Sequence, residues 1–151
     1  MIKIMFVCYG NICRSTMAEF VFKDMVKKAR LQDKFYIKSS ATSYEEIGNP
    51  VHRGTRQKLS EVGISCEGKY AEKLMPADAT EYDYFIGMDN SNIRDMRRIL
   101  GITAEDKIFL LLDFANGGNI ADPWYTGNFD DTYRDVLKGC SALLSKLKNE
   151  M

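Results

Sequence analysis

Lys3-Ile4-Met5-Phe6-Val7-Cys8-Tyr9-Gly10-Asn11-Ile12-Cys13-Arg14-Ser15 passes from an apolar run through a short polar turn into an amphipathic stretch. Lys3–Cys8 has the length and continuous apolar character of a buried strand. From Ser15 to about Lys28, Met17, Phe20, Val21, Met25 and Val26 recur at helical spacing, with Glu19, Lys23, Asp24, Lys27 and Lys28 outside them. Working outward, the strand–turn–helix pattern repeats. Phe35–Ser40 alternates apolar and polar residues and predicts a second strand, followed by a loop over Ala41–Pro50 and a helix over Val51–Val62 that ends at Gly63. Asp83–Met88 predicts a third strand, Asp89–Leu100 a helix closed by Gly101, and Lys107–Leu112 a fourth strand. Asp113–Asp131 reads as a long loop. Thr132–Lys148 reads as a last helix with Val136, Leu137, Cys140, Leu143, Leu144 and Leu147 on one stripe. Strands alternating with helices, apolar at most positions, predict an α/β chain: a three-layer α/β/α arrangement around a four-stranded parallel sheet covered on both faces. Ligands of such sheets bind beyond the carboxyl ends of the strands, where Cys8–Ser15 and Asp113–Asp131 both fall.

Composition narrows the functional classes. The chain has 151 residues, and that length predicts one domain over 1–151. Its 21 basic and 21 acidic residues cancel, which argues against a protein that coats nucleic acid or an anionic membrane. No apolar stretch approaches the ~18 residues that span a bilayer, and Met1–Cys8 is too short for the apolar core of a signal peptide. A cytoplasmic location is expected. Cys8, Cys13, Cys66 and Cys140 therefore read as thiols, without CxxC pairs or Cys/His clusters that would suggest a metal. Cys66 and Cys140 read as structural, and His52 as a solvated residue at a helix start.

The turn Cys8–Ser15 offers unusual chemistry. Its backbone amides gather at a helix N-terminus, where unpaired donors and the helix dipole favour an anion. Gly10 and Asn11 are expected to provide the unusual backbone angles that curl the loop into a nest. Arg14 adds a planar fork for two phosphate oxygens. Cysteine thiols beside a helix N-terminus and a guanidinium ionise at ~3.5–7.5 instead of ~8.5. Cys8, at the strand end, is thus expected as a thiolate beneath a bound phosphoryl group, with the Ser15 hydroxyl as its donor.

C-x5-R-S in a strand–loop–helix, as Cys8-Tyr9-Gly10-Asn11-Ile12-Cys13-Arg14-Ser15, resembles the signature of the low-molecular-weight protein tyrosine phosphatases. Asp122-Pro123-Trp124-Tyr125 resembles the family's Asp-Pro-aromatic-aromatic element, and Met88-Asp89-Asn90-Ser91-Asn92 fits the segment after its third strand. The resemblance covers essentially the whole chain and implies a flavodoxin-like phosphotyrosine phosphatase I fold. It implies Cys8 as nucleophile through a phosphocysteine, Arg14 as phosphate clamp, Asp122 as general acid and then base, and Tyr9 to Ser15 as the phosphate loop. Trp124, Tyr125 and Tyr44 are expected to line the substrate cleft, and Asn11 to order the loop. Cys13 is implied as a reversible disulfide partner of Cys8 under oxidation. The expected substrates are a phosphotyrosine protein or a small aryl phosphate. Phosphate or sulfate is expected to bind in the loop, with no metal or other cofactor, in a monomer or weak dimer.

Two positions depart from the family pattern. Thr16 stands where proline is common after the loop serine. Gly68 lies in the segment Cys66–Tyr70, where many members carry a histidine that supports Asn11. Three rival activities share parts of this pattern. Arginine phosphatases tend to have threonine where this chain has Ile12. Arsenate reductases need two further cysteines after the third strand, which Cys66 and Cys140 do not supply. A silent phosphate-binding module would need neither Cys8 nor Asp122.

Overall fold

The computed structural model describes residues 1–151. Four strands, β1 (Ile2–Cys8), β2 (Phe35–Ala41), β3 (Tyr84–Gly87) and β4 (Ile108–Leu110), form one sheet in the order β2-β1-β3-β4. All three pairings are parallel, and Cys8 pairs with Ala41 at the carboxyl end. The period of two along β1 divides its side chains between the two faces. Ile4, Phe6 and Cys8 join a core with Met17, Val21 and Phe22 of α1 (Arg14–Lys28) and with Val136, Cys140, Leu143 and Leu147 of α5 (Phe129–Asn149). Met5 and Val7 join a smaller core with Met96 and Leu100 of α3 (Asn90–Leu100). α2 (Arg53–Glu61) and the short α4 (Pro123–Thr126) complete the helices. The α/β class, the layers and the parallel sheet agree with the sequence expectation. No helix is long and apolar enough to cross a membrane.

The boundaries differ where caps outrank periodicity. Only Ile108–Leu110 of the expected fourth strand is extended; Leu111–Phe114 turns into a 3₁₀ helix whose Leu111 enters the main core. The final helix starts at Phe129, three residues earlier than its apolar stripe predicts, because the Asn128 side chain caps it by accepting from the Asp131 amide at 3.0 Å. The long loop Asp113–Asp131 contains a structured turn, α4, with Asp122 as its cap and Pro123 at its first position.

His52 sits at a helix start as expected, but packed rather than simply solvated. It caps α2 by accepting from the Gly54 amide at 3.0 Å. Its ring stacks on Phe129 at 5.3 Å and meets Trp124 edge-on at 5.6 Å, so this histidine joins α2, α4 and α5 by packing.

Candidate active site

The turn after β1 closes around the Cys8 sulfur. Asn11 and Ser15 amides point at Sγ at 3.3 and 3.5 Å, and Ser15 Oγ lies 3.0 Å away. Asn11 Nδ2 donates to Ser15 Oγ at 2.7 Å, which leaves the serine's own proton for the sulfur. The amides of Gly10, Ile12, Cys13 and Arg14 make no hydrogen bond within the chain. Four free donors at the start of a 15-residue helix are what an anion needs.

The backbone freedom that curls this loop sits at one residue only. Asn11 has φ +58°, as expected, whereas Gly10, expected to share the unusual angles, is outside the left-handed region. The physical reason is the Asn11 carboxamide, which is fully engaged and buried. Nδ2 donates to Ser15 Oγ and to Ser39 Oγ at 2.9 Å, and Oδ1 accepts from the Glu72 amide at 3.0 Å. These bonds offset the cost of a left-handed non-glycine residue. Gly10 serves space instead: a Cβ there would stand 3.3 Å from Glu46 Cγ.

Behind Asn11 runs a buried polar chain. Ser39 Oγ donates to Glu19 Oε1 at 2.5 Å, and Lys69 Nζ donates to the Ser39 carbonyl at 2.8 Å while lying 3.5 Å from Glu19 Oε1. The segment that lacks the family's histidine thus still sends a side chain to this network, from Lys69 rather than from position 68. Thr16 also has a partner that proline could not supply by side chain: its Oγ1 donates to the Cys13 carbonyl at 2.9 Å. Thr55 Oγ1 donates to the same carbonyl at 3.3 Å, and the His52 amide to the Ile12 carbonyl at 2.9 Å, so the start of α2 braces the loop.

Arg14 is 3% exposed and held on three sides. Nη1 donates to Asp89 Oδ2 at 2.7 Å and to the Ile120 carbonyl at 2.9 Å, and Nη2 to Asp122 Oδ2 at 3.4 Å. Burial opposes its charge, but Cys8, Asp89 and Asp122 more than compensate and raise its pKa above the usual value. Burial also opposes the charged form of Asp89, yet the Arg14 guanidinium and the Asn92 amide hold its carboxyl below the ordinary range. Asp89 Oδ1 meanwhile caps α3 by accepting from Asn92 N at 2.9 Å. Asp89 is the residue the sequence reading left without a role. It lies in the segment Met88–Asn92 that fits the family, but no local signal ties it to Arg14, 75 positions away.

Asp122 reaches the mouth because α4 holds it there. Oδ1 accepts from the Trp124 amide at 3.0 Å, which leaves Oδ2 facing Arg14. Cys8, Tyr9, Gly10, Ile12, Cys13, Arg14, Asp122, Trp124 and Tyr125 line one cavity of ≈120 Å³, together with Glu45 and Glu46. Tyr44 is not among them. Its exposed ring lies beneath Lys73 Nζ at 4.6 Å, so the loop after β2 gives the wall its two glutamates in place of the tyrosine. A larger hollow of ≈560 Å³ beside α2 contains Cys66, whose thiol is raised by burial. Burial, with the Cys8 and Asp122 charges, pushes the Cys13 thiol up to about 12.

A parallel α/β sheet with a thiol, a free-amide nest and a clamped arginine at its carboxyl edge defines a cysteine-dependent phosphatase. The family described as low molecular weight phosphotyrosine protein phosphatase matches residues 3–151, and the chain belongs to it. It is 39% identical to the low molecular weight protein-tyrosine-phosphatase YfkJ of Bacillus subtilis, over 99% of this chain and 98% of that one. The crystal structure of YfkJ superposes with a TM-score of 0.95 over 99% and 96% of the two chains. The low molecular weight protein tyrosine phosphatase SP-PTP of Streptococcus pyogenes superposes at 0.89 with 41% identity, over 97% and 93%. The drosophila arginine phosphatase DARP also superposes at 0.89, with 29% identity over 97% and 98%.

Proposed function

We propose that residues 1–151 act as one catalytic domain that hydrolyses phosphotyrosine and aryl phosphate monoesters through a phosphocysteine. The Cys8 sulfur attacks phosphorus as the bond to the phenolic oxygen breaks. The free amides and Arg14 hold the equatorial oxygens, where charge sits in the transition state. Asp122 gives its proton to the departing oxygen, then takes one from the water that attacks the S–P bond and frees phosphate. The observation that carries this reading is the convergence of Cys8 Sγ, four unpaired amides, Arg14 and Asp122 in one cavity.

Ile12 and the aromatic pair Trp124 and Tyr125 give the cavity apolar walls suited to an aryl ring. Phosphate release from phosphotyrosine and from phosphoarginine, measured side by side, tests the substrate class. The reading predicts turnover of the first and far less of the second; the reverse order makes the chain an arginine phosphatase. Phosphate binding without turnover of either makes it a silent module. Cys13 is proposed to regulate this site: when peroxide converts Cys8 to its sulfenic acid, the Cys13 thiol condenses with it, forming a disulfide and releasing water.

A further inference from the structure

We propose that Glu45 and Glu46 make the mouth of this site select phosphotyrosines flanked by basic residues. The proposal rests on the phosphatase reading above and names its substrate class more closely. At ≈120 Å³ the cavity holds a phosphoryl group and the inner part of a ring, so the neighbouring residues of any peptide lie on its rim. One side of that rim is aromatic, with Trp124 and the largely exposed Tyr125. Glu45 and Glu46 make another part acidic.

Glu45 Oε1 accepts from Tyr9 Oη at 2.9 Å, and Glu46 Oε2 accepts from Asn49 Nδ2 at 2.6 Å. Neither carboxylate forms an ion pair with a lysine or arginine. Their loop is fixed to the cup: Thr42 N donates to the Cys8 carbonyl and Ser43 N to the Tyr9 carbonyl, each at 3.0 Å, and Gly48 N to the Ala71 carbonyl at 2.9 Å. The two charges are therefore held at the cavity mouth, with Glu46 Cγ 3.3 Å from where a Cβ on Gly10 would stand.

The lining has one cation, Arg14, whose charge is already answered by Asp89 and Asp122. Lys73, which does not line the cavity, lies over the Tyr44 ring and donates to the Leu74 carbonyl. The nest thus takes a phosphate dianion, while no further cation lines the cavity. An acidic flank meets two fixed carboxylates; a lysine or arginine flank finds them unpaired. Exposed charges interact over roughly a Debye length, ~8–10 Å at moderate salt, which covers the residues next to the phosphotyrosine.

The test compares kcat/KM for two phosphotyrosine peptides that differ only in having lysine or glutamate on both sides, with an uncharged aryl phosphate as the flank-free reference. The lysine peptide is expected to be favoured roughly tenfold at low ionic strength, with the ratio shrinking as salt screens the charges. The Glu45→Gln/Glu46→Gln variant keeps both hydrogen-bond acceptors and removes both charges, so its ratio is expected to fall near unity. Equal kcat/KM for the two peptides in the unaltered enzyme overturns the proposal, as does a ratio undiminished in the variant; in both cases aryl phosphate turnover leaves the phosphatase reading standing. An enzyme inert to aryl phosphate and to both peptides overturns that reading and the proposal with it.

Discussion

Asp122 Oδ2 and Arg14 Nη2 face each other at 3.4 Å, although 108 positions separate them in the chain. The carboxyl proposed as proton donor and the guanidinium proposed as clamp thus share one small mouth. In the proposed reaction a phosphate in the nest would compete with Asp122 for Nη2, while Asp89 holds Nη1 at 2.7 Å. Substrate would thus free the Asp122 oxygen for the leaving group while Asp89 still holds the arginine.

Asp122→Asn removes the transferable proton and keeps the cap on α4. Turnover of phosphotyrosine is expected to fall roughly 100-fold or more. Aryl phosphates with strongly acidic phenols are expected to lose far less, since they depart as anions. Steady-state rates across a series of leaving groups check this; equal losses throughout would remove Asp122 from the acid role.

Asp89→Asn is expected to cost about 1–3 kcal/mol of stability near neutral pH, because a buried guanidinium loses its shortest partner. The folded carboxyl sits below the ordinary range, and an unfolded aspartate titrates near ~3.9. Its contribution is therefore whole above that value and disappears as pH falls through the lower, folded one. Chemical denaturation at several pH values should show the variant and the parent converging in acid. A constant difference would place the effect elsewhere.

Lys69→Met leaves the Ser39 carbonyl without its donor and Glu19 with Lys23 as its remaining ion-pair partner. Asn11 then rests on a looser chain. The expected losses are ~1–2 kcal/mol in stability and several-fold in kcat with little change in KM. Lys69→Arg should recover part of both. A change confined to stability would make the lysine structural only.

Cys13→Ser should leave turnover largely intact and abolish recovery from peroxide by a dithiol. Because Cys13 remains a protonated thiol at neutral pH, disulfide closure in the parent is expected to be slow and to quicken with rising pH. Full recovery of the serine variant would contradict the proposed pairing.

Much of this was legible in local patterns. The strand, loop and helix around Cys8, the parallel sheet and the apolar stripe of α5 follow from runs and periodicities a few residues long. Features fixed by distant partners were not. The bond from Asp89 to Arg14 joins residues 75 apart. The stacking of His52 on Phe129 and the reach of Lys69 to Ser39 leave no mark on neighbouring residues. α4 is too short for any periodicity, although its start is written in Asp122-Pro123, a capping aspartate before a first-turn proline. Asn11 rather than Gly10 takes the left-handed angle because three side-chain hydrogen bonds hold it there, and their partners come from positions 15, 39 and 72. Tyr44 lies outside the cavity for a related reason: the loop after β2 is pinned by backbone bonds to Cys8 and Tyr9, and Glu45 and Glu46 line the cavity instead.

The most direct test of the account is to trap the intermediate. Enzyme mixed with an excess of aryl phosphate and quenched in acid within a turnover should carry one phosphoryl group on the peptide containing Cys8. The yield should rise in Asp122→Asn if loss of the base slows hydrolysis more than formation, and vanish in Cys8→Ser. Turnover without phosphate on that sulfur, or with phosphate on any other side chain, would contradict it.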